Sequence, residues 1–162
     1  MIKRVNFREY ILGGQDGLVN VLGLVLGVAS ATQDLRLVII AGLVATAAES
    51  VSMAAVAYTS GKAAKDYYTS LIKDDKHKKV LLKHKFLVKE FENPLRSAYV
   101  VGVSTIIGSL IPLVSFFVFD SIRNGIIGSL VLSSLALFLV GSLQAKMSVG
   151  NWKKSGLELL VV

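Results

Sequence analysis

The chain has 162 residues, of which 53% are hydrophobic and only 18% are charged, and it contains no cysteine. Its mean hydropathy of +0.62 is too high for an ordinary soluble domain of this length. The absence of cysteine excludes disulfides, thiolate metal sites and covalent haem attachment.

Four long apolar runs indicate membrane spans at about 10–31, 37–58, 98–119 and 126–147. Each is close to the length needed to cross a hydrocarbon core of roughly 30 Å. The sequence therefore predicts an all-α polytopic membrane helix bundle that forms a single membrane domain over 1–162.

The basic residues explain the net charge of +7 without a nucleic-acid partner. All Lys and Arg residues except Arg36 and Arg123 lie in the N-terminal segment, in the 59–97 loop or beyond position 145. Because cytoplasmic loops of membrane proteins carry an excess of Lys and Arg, we expect these three segments to face the cytoplasm and to contact anionic lipids.

Span one, "ILGGQDGLVNVLGLVLG", contains polar residues near its start, and one of them is the acid Asp16. An aspartate at a helix centre costs roughly 2.5 to 3.5 kcal/mol on insertion scales, so it favours a functional role. Two GxxxG pairs, Gly13 with Gly17 and Gly23 with Gly27, predict close packing against another helix or a symmetry mate.

Span two contains a second acid, Glu49, near the predicted midplane, and Met53 lies one turn nearer the cytoplasm. Comparing depths along the two spans at about 1.5 Å per residue predicts two layers, Asp16 with Met53 and Asn20 with Glu49. Ser52 flanks the second-span face three residues after Glu49.

The polar 59–97 loop has apolar residues at helical spacing, which predicts two short amphipathic cytoplasmic helices broken near 74–79. Pro94 is expected in the first turn of span three. Residues 156–162 resume an apolar pattern that is too short to cross a bilayer, and we interpret them as the start of a fifth span.

Carboxylate, amide and thioether groups together indicate a path for a divalent transition metal such as Fe²⁺. The candidate ligands are Asp16, Asn20, Glu49, Ser52 and Met53. Metal ligands must lose their protons on binding, so these acids could exchange protons for metal. No catalytic set or phosphate loop is present, so no enzyme and no permanently bound cofactor are predicted.

Other interpretations stay open at this point. Asp16 could reach the interface or cap a broken turn, Glu49 could be a structural acid, and Met53 could be ordinary packing. A small proton-coupled exporter of organic cations would also use one membrane glutamate, although spans one and two have aromatics only at their ends, Tyr10 and Tyr58. A third interpretation is that the protein is a membrane scaffold that transports nothing.

Several stretches resemble the vacuolar iron transporter family. "REYILGGQDGLVNVLGLVLGVASA" is similar to its first span, and "AGLVATAAESVSMAAVAYTSGKA" to its second, including the pair Ser52-Met53. "ENPLRSAYVVGVSTIIGSLIPLVSFF", "LALFLVGSLQAK" and "SGLELL" resemble the third, fourth and the opening of the fifth. The resemblance covers nearly the whole chain, in order.

This resemblance implies a five-span homodimer that moves Fe²⁺, and often Mn²⁺, out of the cytosol in exchange for protons, across a plasma or vacuole-like membrane. It places the metal path at the dimer interface, where the first two spans line it. Asp16 then corresponds to the first-span metal acid of the family, and Met53 to the second-span methionine.

The sequence departs from the family pattern at three places. The second-span glutamate of eukaryotic members falls on Ala45, and Glu49, one turn further on, is the candidate replacement. A bacterial glutamate falls on Ala57. The family's acidic cytoplasmic loop is Lys-rich here, so its metal-collecting role is not transferred.

Overall fold

A computed structural model of the chain describes residues 2–73 and 93–147, with side chains over 7–70 and 93–144. These residues form four α-helices in an all-helical bundle, as the hydropathy pattern predicts. In chain order they are α1 (Ile2–Ala31), α2 (Leu35–Lys73), α3 (Pro94–Val118) and α4 (Ile122–Met147). The second predicted loop helix and the predicted start of a fifth span lie outside the described residues.

All four helices are long and apolar enough to cross a membrane. Their connections on one side are short, covering 32–34 and 119–121. The Oδ1 atom of Asp34 accepts a hydrogen bond of 2.9 Å from the backbone N–H of Arg36, which satisfies one of the unpaired donors at the start of α2. As the sequence predicts, Pro94 occupies the first turn of α3, where its missing N–H leaves no helical bond unmade.

Helix α2 continues beyond the predicted end of span two. Residues 59–73 continue α2 without a break, so the first predicted amphipathic helix is not a separate element. This segment contains Lys, Ala and Tyr but no proline, and the single Gly61 costs only about 1 kcal/mol. With 39 residues α2 is about 58 Å long, roughly twice the thickness of a hydrocarbon core.

Helix α3 is the central element of the bundle, because 61% of its most apolar window is buried, against 28% or less in the other spans. It packs on α1 where side chains are smallest. A methyl group on Gly108 would overlap the carbonyl of Gly14, and one on Gly17 would lie 2.6 Å from Ser109 Oγ. The first GxxxG pair of α1 therefore serves packing within the chain rather than contact with a symmetry mate.

The apolar core lies toward the end of the bundle with the short connections. It consists of the buried residues Val21, Val25, Ala29, Val38, Leu113 and Phe116. At the opposite end of the bundle, α1 and α3 begin and α2 continues to Lys73. We call this end the basic end.

Candidate functional site

Two polar side chains meet where α1 and α2 face each other near the middle of the bundle. The amide Nδ2 of Asn20 donates a hydrogen bond of 2.9 Å to Oε1 of Glu49. The rise per residue along each helix predicts that these two residues lie at the same depth in the membrane. The structure confirms that they pair. The bond engages one carboxylate oxygen of Glu49, and a carboxylate has the capacity to accept further hydrogen bonds.

Asp16 joins the same group, one helical turn before Asn20. Its carboxyl is close enough to interact with both Glu49 and Asn20, while the hydrogen bond of 2.9 Å in this group joins Asn20 to Glu49. The two acids therefore form one cluster, whereas the sequence predicted them in separate layers. A primary amide carries two donor hydrogens, so Asn20 can serve both carboxylates and ease their mutual repulsion.

The other two predicted site residues lie beside this cluster on α2. Met53 is half-buried one turn nearer the basic end than Glu49, and Ser52 is exposed. Both follow Glu49 by about one turn on the same side of α2, between Glu49 and the basic end. Their participation in a metal site, including the predicted pairing of Met53 with Asp16, stays a prediction.

The cluster opens onto a face of α1 that none of the residues described by the structure covers. Asn20 is exposed, and Gly23 and Gly27 continue the same stripe with no atom within 4 Å of where a side chain would begin. In a bilayer, hydrogen-bonding groups cannot be left against lipid, because no water is present to satisfy them. This face therefore requires either water or another protein surface against it.

The described residues of one chain provide an incomplete set of metal ligands. Among them, no three His, Cys, Asp or Glu side chains come together in a metal-binding group. Two carboxylates and an amide offer hard oxygen donors, which suit a divalent cation. A four- to six-coordinate ion would need further ligands, from Met53, from water or from a second copy of the chain.

A cavity of about 290 Å³ lies at the basic end between α1, α2 and α3. Its polar lining includes Arg8, Glu9, Ser60, Asn93 and Ser97. The hydroxyl of Ser97 donates to Oε1 of Glu9, which ties α3 to α1. Sequence reasoning missed Glu9, although it lies seven residues before Asp16 and hence on the same stripe of α1.

Comparison with known proteins gives a consistent result. The model of the VIT family matches residues 7–85 and 74–162. An uncharacterized protein of Methanocaldococcus jannaschii is 32% identical over 94% of this chain and 80% of its own length. VIT-like transporter 1a of Glycine max is 28% identical over 86% and 70%, and vacuolar iron transporter 1 of Arabidopsis thaliana is 22% identical over 83% and 71%.

Proposed function

Because this chain belongs to the VIT family, we propose that it carries a divalent metal ion, Fe²⁺ first and Mn²⁺ second, out of the cytosol in exchange for protons. The observation that carries this proposal is the cluster of Asp16, Asn20 and Glu49 between two apolar helices. Ionisable residues at such depth are costly, and they mark ion and proton pathways far more often than ordinary packing. The names of two relatives describe transporters, one of them of iron.

The proposed cycle uses the two acids as both ligands and proton carriers. A metal ion arriving from the basic end displaces protons from Asp16 and Glu49, because only deprotonated carboxylates bind metal. Met53 adds a soft, weak donor that favours Fe²⁺ over harder ions and still lets the ion leave. Protons entering from the other side then release the metal.

Two copies of the chain, joined along the uncovered face of α1, complete the proposed path. Pairing would bring the acid cluster of each copy to the shared interface and double the number of carboxylates around the ion. The open pair Gly23 and Gly27 supports this arrangement, since glycines at i and i+4 let two membrane helices approach closely. Lipid-exposed Asn20 would then be covered.

Metal flux into proteoliposomes tests the proposal. The purified protein is reconstituted, and uptake of Fe²⁺, Mn²⁺, Co²⁺ and Zn²⁺ is followed under an imposed pH gradient. We expect the wild-type protein to carry Fe²⁺, and Asp16→Asn to lose most of that uptake. Asp66→Asn removes the same charge from the exposed far part of α2 and serves as the matched control. If the wild-type protein transported none of the four metals, the proposal would be contradicted.

A further inference from the structure

Helix α3 contacts both acid-bearing helices through two consecutive backbone carbonyls. The carbonyl oxygen of Val101 lies against Gly13 of α1, beside the hydroxyl of Ser104, and a side chain at Gly13 would collide with both. The next carbonyl, that of Gly102, accepts a hydrogen bond of 3.0 Å from Ser50 Oγ of α2. One turn of α3 therefore touches α1 three residues before Asp16, and it touches α2 one residue after Glu49.

The contact with α2 is close as well as polar. Gly102 is buried, and a methyl group in its place would lie 3.2 Å from the Cβ of Ala54 and 3.5 Å from the carbonyl oxygen of Ser50. The lack of a side chain at Gly102 lets the hydroxyl reach the backbone. A hydrogen bond between membrane helices at such a point fixes how one helix is rotated about its axis relative to the other.

That rotation decides where Glu49 points. Successive side chains on an α-helix are about 100° apart, so when Ser50 is turned toward α3, Glu49 is turned toward α1. This is the orientation in which Glu49 accepts the hydrogen bond from Asn20. If α2 lost its attachment to Gly102, a small rotation would move the carboxylate away from Asn20 and Asp16.

We propose that Ser50 is a positioning residue of the acid cluster, acting through its hydrogen bond to the Gly102 carbonyl to hold Glu49 against Asn20 and Asp16. The inference rests on the proposed metal-binding role of these acids. Ser50 touches no metal itself and works only by fixing the rotation of α2. Its hydroxyl matters, and its size matters less.

Binding of Co²⁺ alone to the purified, detergent-solubilised protein tests this by calorimetry, with the melting temperature recorded for every variant. We expect Ser50→Ala to weaken Co²⁺ binding about threefold to tenfold, the range that one hydrogen bond between membrane helices spans. Ser50→Thr retains the hydroxyl and should bind as the wild type does. Thr59→Ala, which removes a hydroxyl bonded only within α2, is the matched control and should change nothing.

A double-mutant cycle separates positioning from general stabilisation. In a Glu49→Gln background, Ser50→Ala should weaken Co²⁺ binding less than twofold, because the carboxylate that it positions is gone. Equal losses in both backgrounds, or unchanged binding in a folded Ser50→Ala protein, would overturn the inference while leaving the proposed function intact. A wild-type protein that binds no Co²⁺ would instead remove the metal site and this inference with it.

Discussion

Asn20 shows most clearly how a single side chain shapes the candidate site. Two carboxylates at close range in an apolar bundle repel each other, and a neutral amide between them supplies two donors without adding charge. Asn20 uses one donor hydrogen for Glu49 and has a second that could serve Asp16, and it adds no positive charge beside the two acids. A lysine there would pair with the acids and compete with a metal ion.

At the residue scale, Asp16→Asn should remove metal-dependent stabilisation. A ligand that binds only the folded state stabilises it, and a hundredfold excess over the dissociation constant contributes about 2.7 kcal/mol. We expect Fe²⁺ or Mn²⁺ to raise the melting temperature of the purified protein on the order of 5 °C. The increase should vanish in Asp16→Asn. An equal increase in both proteins would show that metal binds elsewhere.

Met53 should govern selectivity rather than transport as such. Met53→Leu keeps the volume of the side chain and removes its sulfur, so packing is nearly preserved. Because a thioether favours softer ions, uptake of Fe²⁺ should fall about fivefold while that of Mn²⁺ changes by less than about twofold. Uptake of the two metals by reconstituted variants measures this. Equal changes for both metals would assign Met53 to packing alone.

The pairing of Asn20 with Glu49 could be predicted from sequence because it depends only on helix rise and on the depth of each residue. The meeting of Asp16 with Glu49 could not, since it depends on the length and rotamer of each side chain. Ser50 was missed for a related reason. Its partner is a backbone carbonyl 52 residues away, and no residue pattern marks a carbonyl as an acceptor.

At the scale of helices, the glycines of α1 divide into two groups with different roles. Gly13 and Gly17 lie against α3, whereas Gly23 and Gly27 face open space. The sequence shows two equivalent GxxxG pairs, and nothing in the pattern itself distinguishes the inward pair from the open one. The distinction arises from the rotation of α1 against α3.

Substitutions at these glycines should therefore separate folding from association. Gly108→Ala places a methyl group against the carbonyl of Gly14 and should destabilise the chain by about 1 to 3 kcal/mol, because neither backbone can yield. Gly23→Ala meets no atom of the described residues and should leave the monomer's stability unchanged or slightly higher, because alanine favours a helix more than glycine does. Melting temperatures of the two variants provide the measurement, and equal losses would contradict this packing.

Hydropathy could not predict that helix α2 continues without a break to Lys73. Hydropathy records where a segment stops being apolar, and that change falls near Tyr58. A helix ends only where a breaking residue or a cap stops it, and none intervenes before position 73. The number and order of the four long apolar helices were predictable, because the minimum length of each apolar run is set by bilayer thickness.

At the scale of the whole molecule, the uncovered face of α1 is the feature that points beyond one chain. Its exposed polar and glycine residues form a stripe, while the exposed faces of α4 are apolar and suit lipid. A dimer joined along α1 would place the acid clusters of two copies together. The family resemblance implied this arrangement, and the exposure of Asn20 now supplies a physical reason for it.

Cross-linking tests the proposed dimer directly, because the chain contains no cysteine. Ser30→Cys, which lies on α1 one turn after Gly27 and leaves both glycines in place, should form disulfide-linked dimers in membranes under mild oxidation, since close helices bring the two thiols within bonding distance. Val131→Cys on the exposed face of α4 is the matched control and should remain monomeric. Non-reducing gels report both. Dimers formed only by Val131→Cys would place the interface on α4 instead.

The proposed exchange of protons for a divalent metal at the acids between α1 and α2 can be measured as Fe²⁺ uptake into inside-out membrane vesicles under an imposed pH gradient. The comparison is between Glu49→Gln and the wild type. Glutamine keeps the size of the side chain and one acceptor oxygen for Asn20 but can neither release a proton nor bring a charge to the metal. We predict that proton-driven uptake is abolished in Glu49→Gln while the protein remains folded. Unchanged uptake in the folded variant would contradict the account.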